Sequence, residues 1–466
     1  MCKMTELNLV KRKQVYFYCK IRFLLSILIQ NLMCKSMKNL KIPPAQHSLW
    51  HDWLTVFSGN GIRLLIGMGA SVLIVRSLGV ENYGAYALLT AIISIAASLS
   101  DFGLTPTAVK SISTWLPDKP SRAGRIARTY LATKAGFAAV FSGGGIVLAP
   151  MLSVYILGDD RFVWLVRLSF LGVFTTTLSN IAGAFLHAAR RFRIYTVLQL
   201  MNPLLLLLVV ALGWFSGGIQ LSRLMALIVF LPVVHAVLAF PASRRLVSAA
   251  GRPQKSGRCF KIVRQLLKFS IWIFFASGLA AMFSQIDIFL VRRWSGADAA
   301  GYYALALSLA MKAAMLNGSL GTTLLPRVSE VKSAVQLRVY LRSALRKTLT
   351  ATLLIGFSLF LVKPLILLLY GKAFLPAAPL TILLLLMVAV NLNVLPFSML
   401  LYPLNRPQWL AGVEFAKLLI FIMIAGLNVE RMGVAGVALA KLIAEMLAGL
   451  WYFYLIRKLR GSFSKK

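Results

Sequence analysis

Apolar residues in this chain come in long unbroken runs, without the alternation of a half-buried strand or the one-sided stripe of a water-exposed helix. About twelve runs reach the roughly 20 residues that a helix needs to cross a hydrocarbon layer about 30 Å thick. Six lie near Trp53 to Val75, Tyr83 to Phe102, Tyr130 to Ile156, Phe162 to Leu186, Tyr195 to Phe215 and Leu224 to Phe240. The others lie near Leu267 to Leu290, Tyr302 to Leu325, Leu349 to Leu369, Pro379 to Tyr402, Trp409 to Leu427 and Gly433 to Leu455. Lipid cannot hydrogen-bond an open backbone. The pattern therefore predicts an all-α polytopic membrane protein with about twelve transmembrane helices.

Composition agrees. The chain is 59% hydrophobic and 14% charged, with a mean hydropathy of +0.78, more apolar surface than a soluble core could hide. A net charge of +38 raises the question of nucleic acid. The basic residues fall mainly in short gaps between apolar runs, however, without forming a patch beside aromatics, so no nucleic-acid partner is expected. The connections after even-numbered runs carry roughly 22 Lys and Arg, against roughly 7 after odd-numbered ones, which predicts that the former, and both termini, are cytoplasmic.

A motif recurs at an offset of 217 residues. Arg76, Gly79, Glu81, Gly84, Tyr86, Ala87 and Leu88 correspond to Arg293, Gly296, Asp298, Gly301, Tyr303, Ala304 and Leu305, and the same offset pairs Gly61 with Gly278 and Lys110 with Arg327. Six helices separate the copies, so the chain reads as two parallel six-helix repeats around a central cavity, with both motifs at the outer surface. There the motif reads as a structural turn, its glycines allowing a tight connection and its Arg facing its acid. The predicted organisation is a basic cytoplasmic extension (1–49), an N-terminal lobe (50–246), a basic cytoplasmic linker (247–264), a C-terminal lobe (265–458) and a basic cytoplasmic tail (459–466). In the extension, Phe23 to Met33 is too short to span. It is either an anchor or a sign that Met37 is the true start.

Several chemistries are excluded. No Gly-x-x-x-x-Gly-Lys-Ser/Thr loop occurs, so an ATPase is not expected. His47, His51, His187 and His235 are not spaced as a metal set, and outside the extension only Cys259 remains. With loops too short for an extramembrane catalytic domain, no catalytic residue, metal or cofactor is expected, and the protein is not read as an enzyme.

Charges inside the helices carry the functional signal, because a centred charge costs about 2.5 to 3.5 kcal/mol and usually faces a cavity or a partner. Arg63 and Lys312 lie deep in the first and eighth runs. Lys363 is nearer an outer end, while Lys134 and Arg167 lie about one turn inside their helices, where they could snorkel. Glu414 with Lys417, and Lys441 with Glu445, stand at i,i+3 and i,i+4. They read either as self-satisfied pairs steadying the bundle or as part of a transport site. Asp287, beside Gln285, reads as hydrated near an outer end or as a cation contact. Two deep unpaired cations bias the cavity toward anions. Candidate substrate-binding residues are Arg63, Lys312, Asn60, Lys417 and Lys441, and candidate ion-coupling residues are Asp287, Glu414 and Glu445. Asn60-Gly61, Gly143 to Gly145 and Pro364 are candidate points of bending, whereas Gly433, Ala435, Gly436 and Ala438 read as small residues for close packing.

Ser58 to Arg76, the turn Leu78-Gly79-Val80-Glu81-Asn82-Tyr83-Gly84 and Ser100-Asp101-Phe102-Gly103-Leu104 resemble the amino-terminal part of the Wzx-type O-antigen flippases. Leu369-Tyr370-Gly371-Lys372-Ala373-Phe374 and Gly433 to Ala440 are similar to the carboxy-terminal half of that family. The resemblance covers roughly residues 50 to 458, with motifs shared across the multidrug/oligosaccharidyl-lipid/polysaccharide exporter superfamily. It implies two six-helix lobes that move a polyprenyl-diphosphate-linked oligosaccharide across the bacterial cytoplasmic membrane. The partners it implies are that lipid-linked oligosaccharide, membrane lipids, and a polysaccharide polymerase and glycosyltransferases. The family is defined by no single catalytic motif; from their own depth and charge, Arg63 and Lys312 would supply cations to the diphosphate. The alternatives are a cation-coupled multidrug exporter of the same superfamily and a membrane-embedded polymerase or glycosyltransferase.

Overall fold

Three glycines break the backbone inside segments that are otherwise helical. Gly79 (φ 73°, ψ −177°), Gly296 (φ 90°, ψ −171°) and Gly433 (φ 55°, ψ −136°) adopt angles that a side chain would make costly. Gly79 and Gly296 are equivalent positions of the duplicated motif. The sequence repeat is thus also a repeat of backbone conformation.

The computed structural model describes residues 49–189, 191–215, 218–248, 256–329, 334–401 and 407–459. The helices are α1 (Leu49–Ser100), α2 (Leu104–Trp115), α3 (Pro120–Leu152), α4 (Val163–Ala188), α5 (Phe192–Phe215), α6 (Leu221–Ser248), α7 (Ser256–Ser329), α8 (Ala334–Tyr370), α9 (Ala377–Met399) and α10 (Pro407–Leu459). A π turn at Ser153–Leu157 closes α3, and no strand occurs among the described residues. Nine of the described helices are long and apolar enough to cross a membrane. The predicted extension up to residue 48, with Met37, and the middle of the predicted linker lie outside the described residues. From Thr55 onward the chain forms one compact unit.

The apolar spans of α1, α7 and α10 run 40, 49 and 51 residues, about twice what one crossing needs. Each folds back at its glycine. In α10 the Lys417 ammonium lies 3.4 Å from Glu445, and Tyr452 donates to Glu414 at 3.5 Å, whereas 28 residues of straight helix would span about 42 Å. In α1, Gly69 rests on Leu207 of α5, while Ile93 on the other arm touches Gly172 of α4, which also meets Val229 of α6. Leu207 is eight residues from the end of α5 and Val229 eight from the start of α6, so both arms of α1 lie at one depth. Gly278 and Lys312 of α7 meet Leu99 and Ser71, one on each arm of α1. α7 therefore reverses with it.

Apolar side chains from both halves of the chain, among them Val75, Leu89, Val173, Leu305, Ile366 and Phe421, share one buried cluster. The outward faces remain apolar. Phe215 is 86% and Phe360 83% exposed, as befits a surface solvated by lipid.

Three local features differ from the sequence reading. Basic residues expected in gaps extend the helices instead, as with Arg122, Arg125 and Arg128 in α3 and Arg338, Arg342 and Arg346 in α8. A helix carried past the apolar run keeps its backbone hydrogen-bonded while the charges reach the headgroups. Between α1 and α3, α2 is a short amphipathic helix that buries Leu104, Thr107, Ala108 and Ile112. Its twelve residues are too few to register as a crossing. α3 and α8 stay helical through Gly143 to Gly145 and Pro364. Gly433 is a point of reversal, while Ala438 packs in the core with Ala435 against it and Gly436 packs against the Asn428 carbonyl.

Candidate functional site

The two motif copies face each other at the end of the bundle that carries the hairpin tips. A Cβ on Gly84 would lie 2.8 Å from the Gly301 nitrogen, and one on Gly301 would lie 2.1 Å from the Val80 carbonyl oxygen. Only glycine permits this approach. Around the contact, Arg76 donates to the carbonyls of Leu369 (2.7 Å) and Leu368 (2.8 Å) at the end of α8. Arg292 donates to Leu157 (2.8 Å) at the end of the turn after α3. Each half thus caps a helix C-terminus of the other, where carbonyls lack intrahelical partners. The expected pairing of the motif Arg with its acid does not form at Arg76, because those carbonyls take its donors.

Below the tips, the arms of α1 and α7 form a seam between the halves. The Lys312 ammonium donates to Ser308 Oγ (2.7 Å) and reaches Ser71 Oγ (3.4 Å) across it. Arg63 lies about 12 Å further along α1 from Ser71, toward the end where basic residues accumulate. At helical spacing it shares a face with Ala70 and Ile74, which are 1% and 4% exposed. Arg63 itself is exposed and makes no hydrogen bond or ion pair among the described residues. It is a cation on the inward face of a helix, open on that side. The Asn60 side chain lies outside the described residues.

The remaining candidates lie in the C-terminal half. Lys441 forms an ion pair with Asp287, which also accepts from Tyr303 at 2.7 Å. Lys417 pairs with Glu414 at 2.7 Å, as the i,i+3 spacing predicts, and with Glu445 at 3.4 Å. The predicted Lys441–Glu445 pair is replaced by these contacts. Folding α10 on itself brings Lys417 to Glu445, and packing against α7 brings Lys441 to Asp287. Asp287 is 0% exposed, so it is not hydrated at an interface. Glu445 also accepts from Asn391 at 2.6 Å, and Asn391 accepts from Asn317. Phe283 lies under both ammonium groups, 4.3 and 5.4 Å from its ring centre. Five charged side chains from three helix arms are thereby desolvated together.

Sequence reasoning missed a second buried network. Lys134, expected to snorkel, is 2% exposed and pairs with Asp101, whose carboxylate also accepts from Thr105, with Tyr130 beside them. Asp101 stands in the Ser-Asp-Phe-Gly-Leu motif, next to two left-handed residues, Phe102 (φ 47°) and Gly103 (φ 63°). Those residues turn the chain from α1 into α2, and that turn aims the carboxylate at α3. Arg167 and Lys363 are exposed. Among the described residues no group of acids, cysteines and histidines could hold a metal.

A bundle of apolar helices whose halves meet through duplicated hairpins, with charges held on the inside, defines a multi-pass membrane transporter. Residues 49–332 match the polysaccharide biosynthesis protein family, more than half of the chain, and the chain belongs to that family. A Shigella flexneri protein, named as a proposed O-antigen transporter, is 21% identical over 295 residues, spanning 62% of this chain and 67% of its own. Among solved structures, an inward-facing multidrug-resistance transporter of the MATE family aligns with a TM-score of 0.71 at 12% identity, covering 89% of this chain and 99% of its own. The lipid II flippase MurJ in an inward closed conformation gives 0.68 at 16% identity, covering 87% of each chain. At these identities the two structures speak for the fold.

Proposed function

We propose that this protein translocates an oligosaccharide linked to polyprenyl diphosphate across the bacterial cytoplasmic membrane for surface polysaccharide synthesis. Residues 50–246 and 265–458 act as two lobes with twelve crossings in all. The glycine tips face outward, and the basic helix ends and both termini face the cytoplasm. Contacts between Gly84 and Gly301 close the outer end, while the seam at Arg63 receives substrate from the inside. Alternating access rocks one lobe against the other.

Arg63 carries the proposal. A guanidinium unpaired among the described residues, on the inward face of a membrane helix, is costly without an anion, and a diphosphate offers charge-assisted hydrogen bonds. Lys312, deeper in the seam, is the second cation, and Asn60 precedes Arg63 by less than a turn. Lys417 and Lys441 are occupied by carboxylates, and they contact substrate only if those carboxylates are protonated. Here the coupling ion enters. Asp287, Glu414 and Glu445 face two lysines, which leaves one negative charge over, the complement of a proton or a monovalent cation. A drug cation would want a free acid on the seam, and the deep acids are paired instead. The lipid tail stays among membrane lipids, and glycosyltransferases and a polymerase act before and after the transfer. Arg63→Ala is expected to abolish surface polysaccharide at unchanged membrane abundance. Normal polysaccharide in that variant contradicts the proposal.

A further inference from the structure

The N-terminal half of the bundle contains a buried donor with no partner among the described residues. His235, in the middle of α6, is 2% exposed. Its Nδ1 lies 2.6 Å from Ser179 Oγ of α4, and its Nε2 is buried with no partner among the described residues. Ser179 makes no other hydrogen bond among those residues, so its hydroxyl can donate to Nδ1, which favours the tautomer with hydrogen on Nε2. A buried N–H without an acceptor is costly inside a bilayer and marks a place that a ligand completes.

Packing puts this donor at the depth of Arg63. Ala182 and Leu186 of α4, Leu198 of α5 and Ala239 of α6 form one cluster. Counting toward the tips along each helix, Ser179 lies three residues from Ala182, Asn202 four from Leu198 and His235 four from Ala239. All three therefore lie about 5 to 6 Å above the cluster. Gly69 touches Leu207, and α1 and α5 run in the same direction. Stepping back six residues on each brings Arg63 level with Met201, one residue from Asn202. The Arg63 charge is near enough to act on the His235 ring. The Asn202 side-chain oxygen is also buried without a partner among the described residues. Residues 163–248 contain no Asp or Glu, so no carboxylate on α4, α5 or α6 competes with an anion for these groups.

We infer that His235 is a second donor to the phosphate that Arg63 receives, its Nε2–H and the guanidinium gripping phosphate oxygens from different helices, with Ser179 orienting the ring. The inference rests on the anionic-substrate reading of the seam and adds a position that carries no formal charge. Lys312 marks the deeper end of the same path.

Two substitutions separate the ring nitrogens. Gln places an amide N–H near the position of Nε2, whereas Asn keeps a group near Nδ1 for Ser179 and loses the Nε2 donor. Binding of farnesyl diphosphate to the detergent-purified full chain, followed by tryptophan fluorescence with farnesol as control, is the test. His235→Asn and Arg63→Ala are each expected to weaken farnesyl diphosphate about tenfold. His235→Gln is expected to stay within about threefold, with farnesol unchanged throughout. If His235→Asn binds like the wild type while Arg63→Ala is weakened, the role of His235 is overturned and the seam reading stands. Equal weakening by Asn and Gln, with a lower melting temperature in both, assigns the histidine to packing and also overturns it. Normal binding by Arg63→Ala overturns the reading beneath.

Discussion

Gly84 and Gly301, equivalent residues of the duplicated motif, meet backbone to backbone where the two halves join. A Cβ on Gly301 would sit 2.1 Å from the Val80 oxygen, so no side-chain adjustment can relieve it. Gly301→Val is expected to hold the tips apart at about 1 to 3 kcal/mol of strain. The readout is maleimide labelling of a cysteine at Ala300, which is 0% exposed, in a chain without its four native cysteines. Labelling is expected to rise several-fold, and unchanged labelling would mean that the tips are not joined there.

Arg76 and Arg292 cap helix ends of the opposite halves. Replacing either with Ala removes charge-assisted bonds to carbonyls worth about 1 kcal/mol at an accessible helix end. The double variant should label faster at position 300 than either single one. Tip accessibility unaffected by both together would restrict these arginines to surface roles.

Asp287 and Lys441 form a buried pair, and removing one partner strands the other. Asp287→Asn is expected to cost about 3 to 5 kcal/mol, and adding Lys441→Met to recover most of it. Thermal unfolding in detergent measures both. A double variant no more stable than the single one would show that the pair is not the reason for the loss.

Glu445→Gln keeps a hydrogen-bonding group for Asn391 and cancels the surplus charge of the three-acid, two-lysine cluster. If the cluster couples transport to an ion, flipping by this variant becomes insensitive to proton and sodium gradients while the protein still folds. Retained gradient dependence would move the coupling site elsewhere.

Much of this arrangement is legible in the chain. Apolar run length predicts the helices, and the shared spacing of Gly79 and Gly296 predicts that two turns match, because positive φ selects glycine at both. Glu414 with Lys417 follows from a one-turn spacing. Lys441 with Asp287 does not, because 154 residues separate them and only the packing of α10 on α7 joins them. Lys134 looked like an interfacial lysine because its partner, Asp101, comes from a different helix across a left-handed turn. His235 gave no signal in sequence, since a lone histidine in an apolar helix is unremarkable until its neighbours are known. What sequence misses here is tertiary pairing of charges, where an i,i+4 partner and a distant one compete and geometry decides.

Arg63 is the residue on which the proposed transport depends. The decisive measurement is flipping of a fluorescent oligosaccharide on polyprenyl diphosphate in proteoliposomes, comparing wild type, Arg63→Lys and Arg63→Ala at equal protein incorporation. Loss of a charged donor to phosphate is expected to slow Arg63→Ala by at least about tenfold, with Arg63→Lys intermediate because the charge remains and the bidentate fork is lost. Flipping by Arg63→Ala at the wild-type rate would contradict an anionic headgroup bound in the seam.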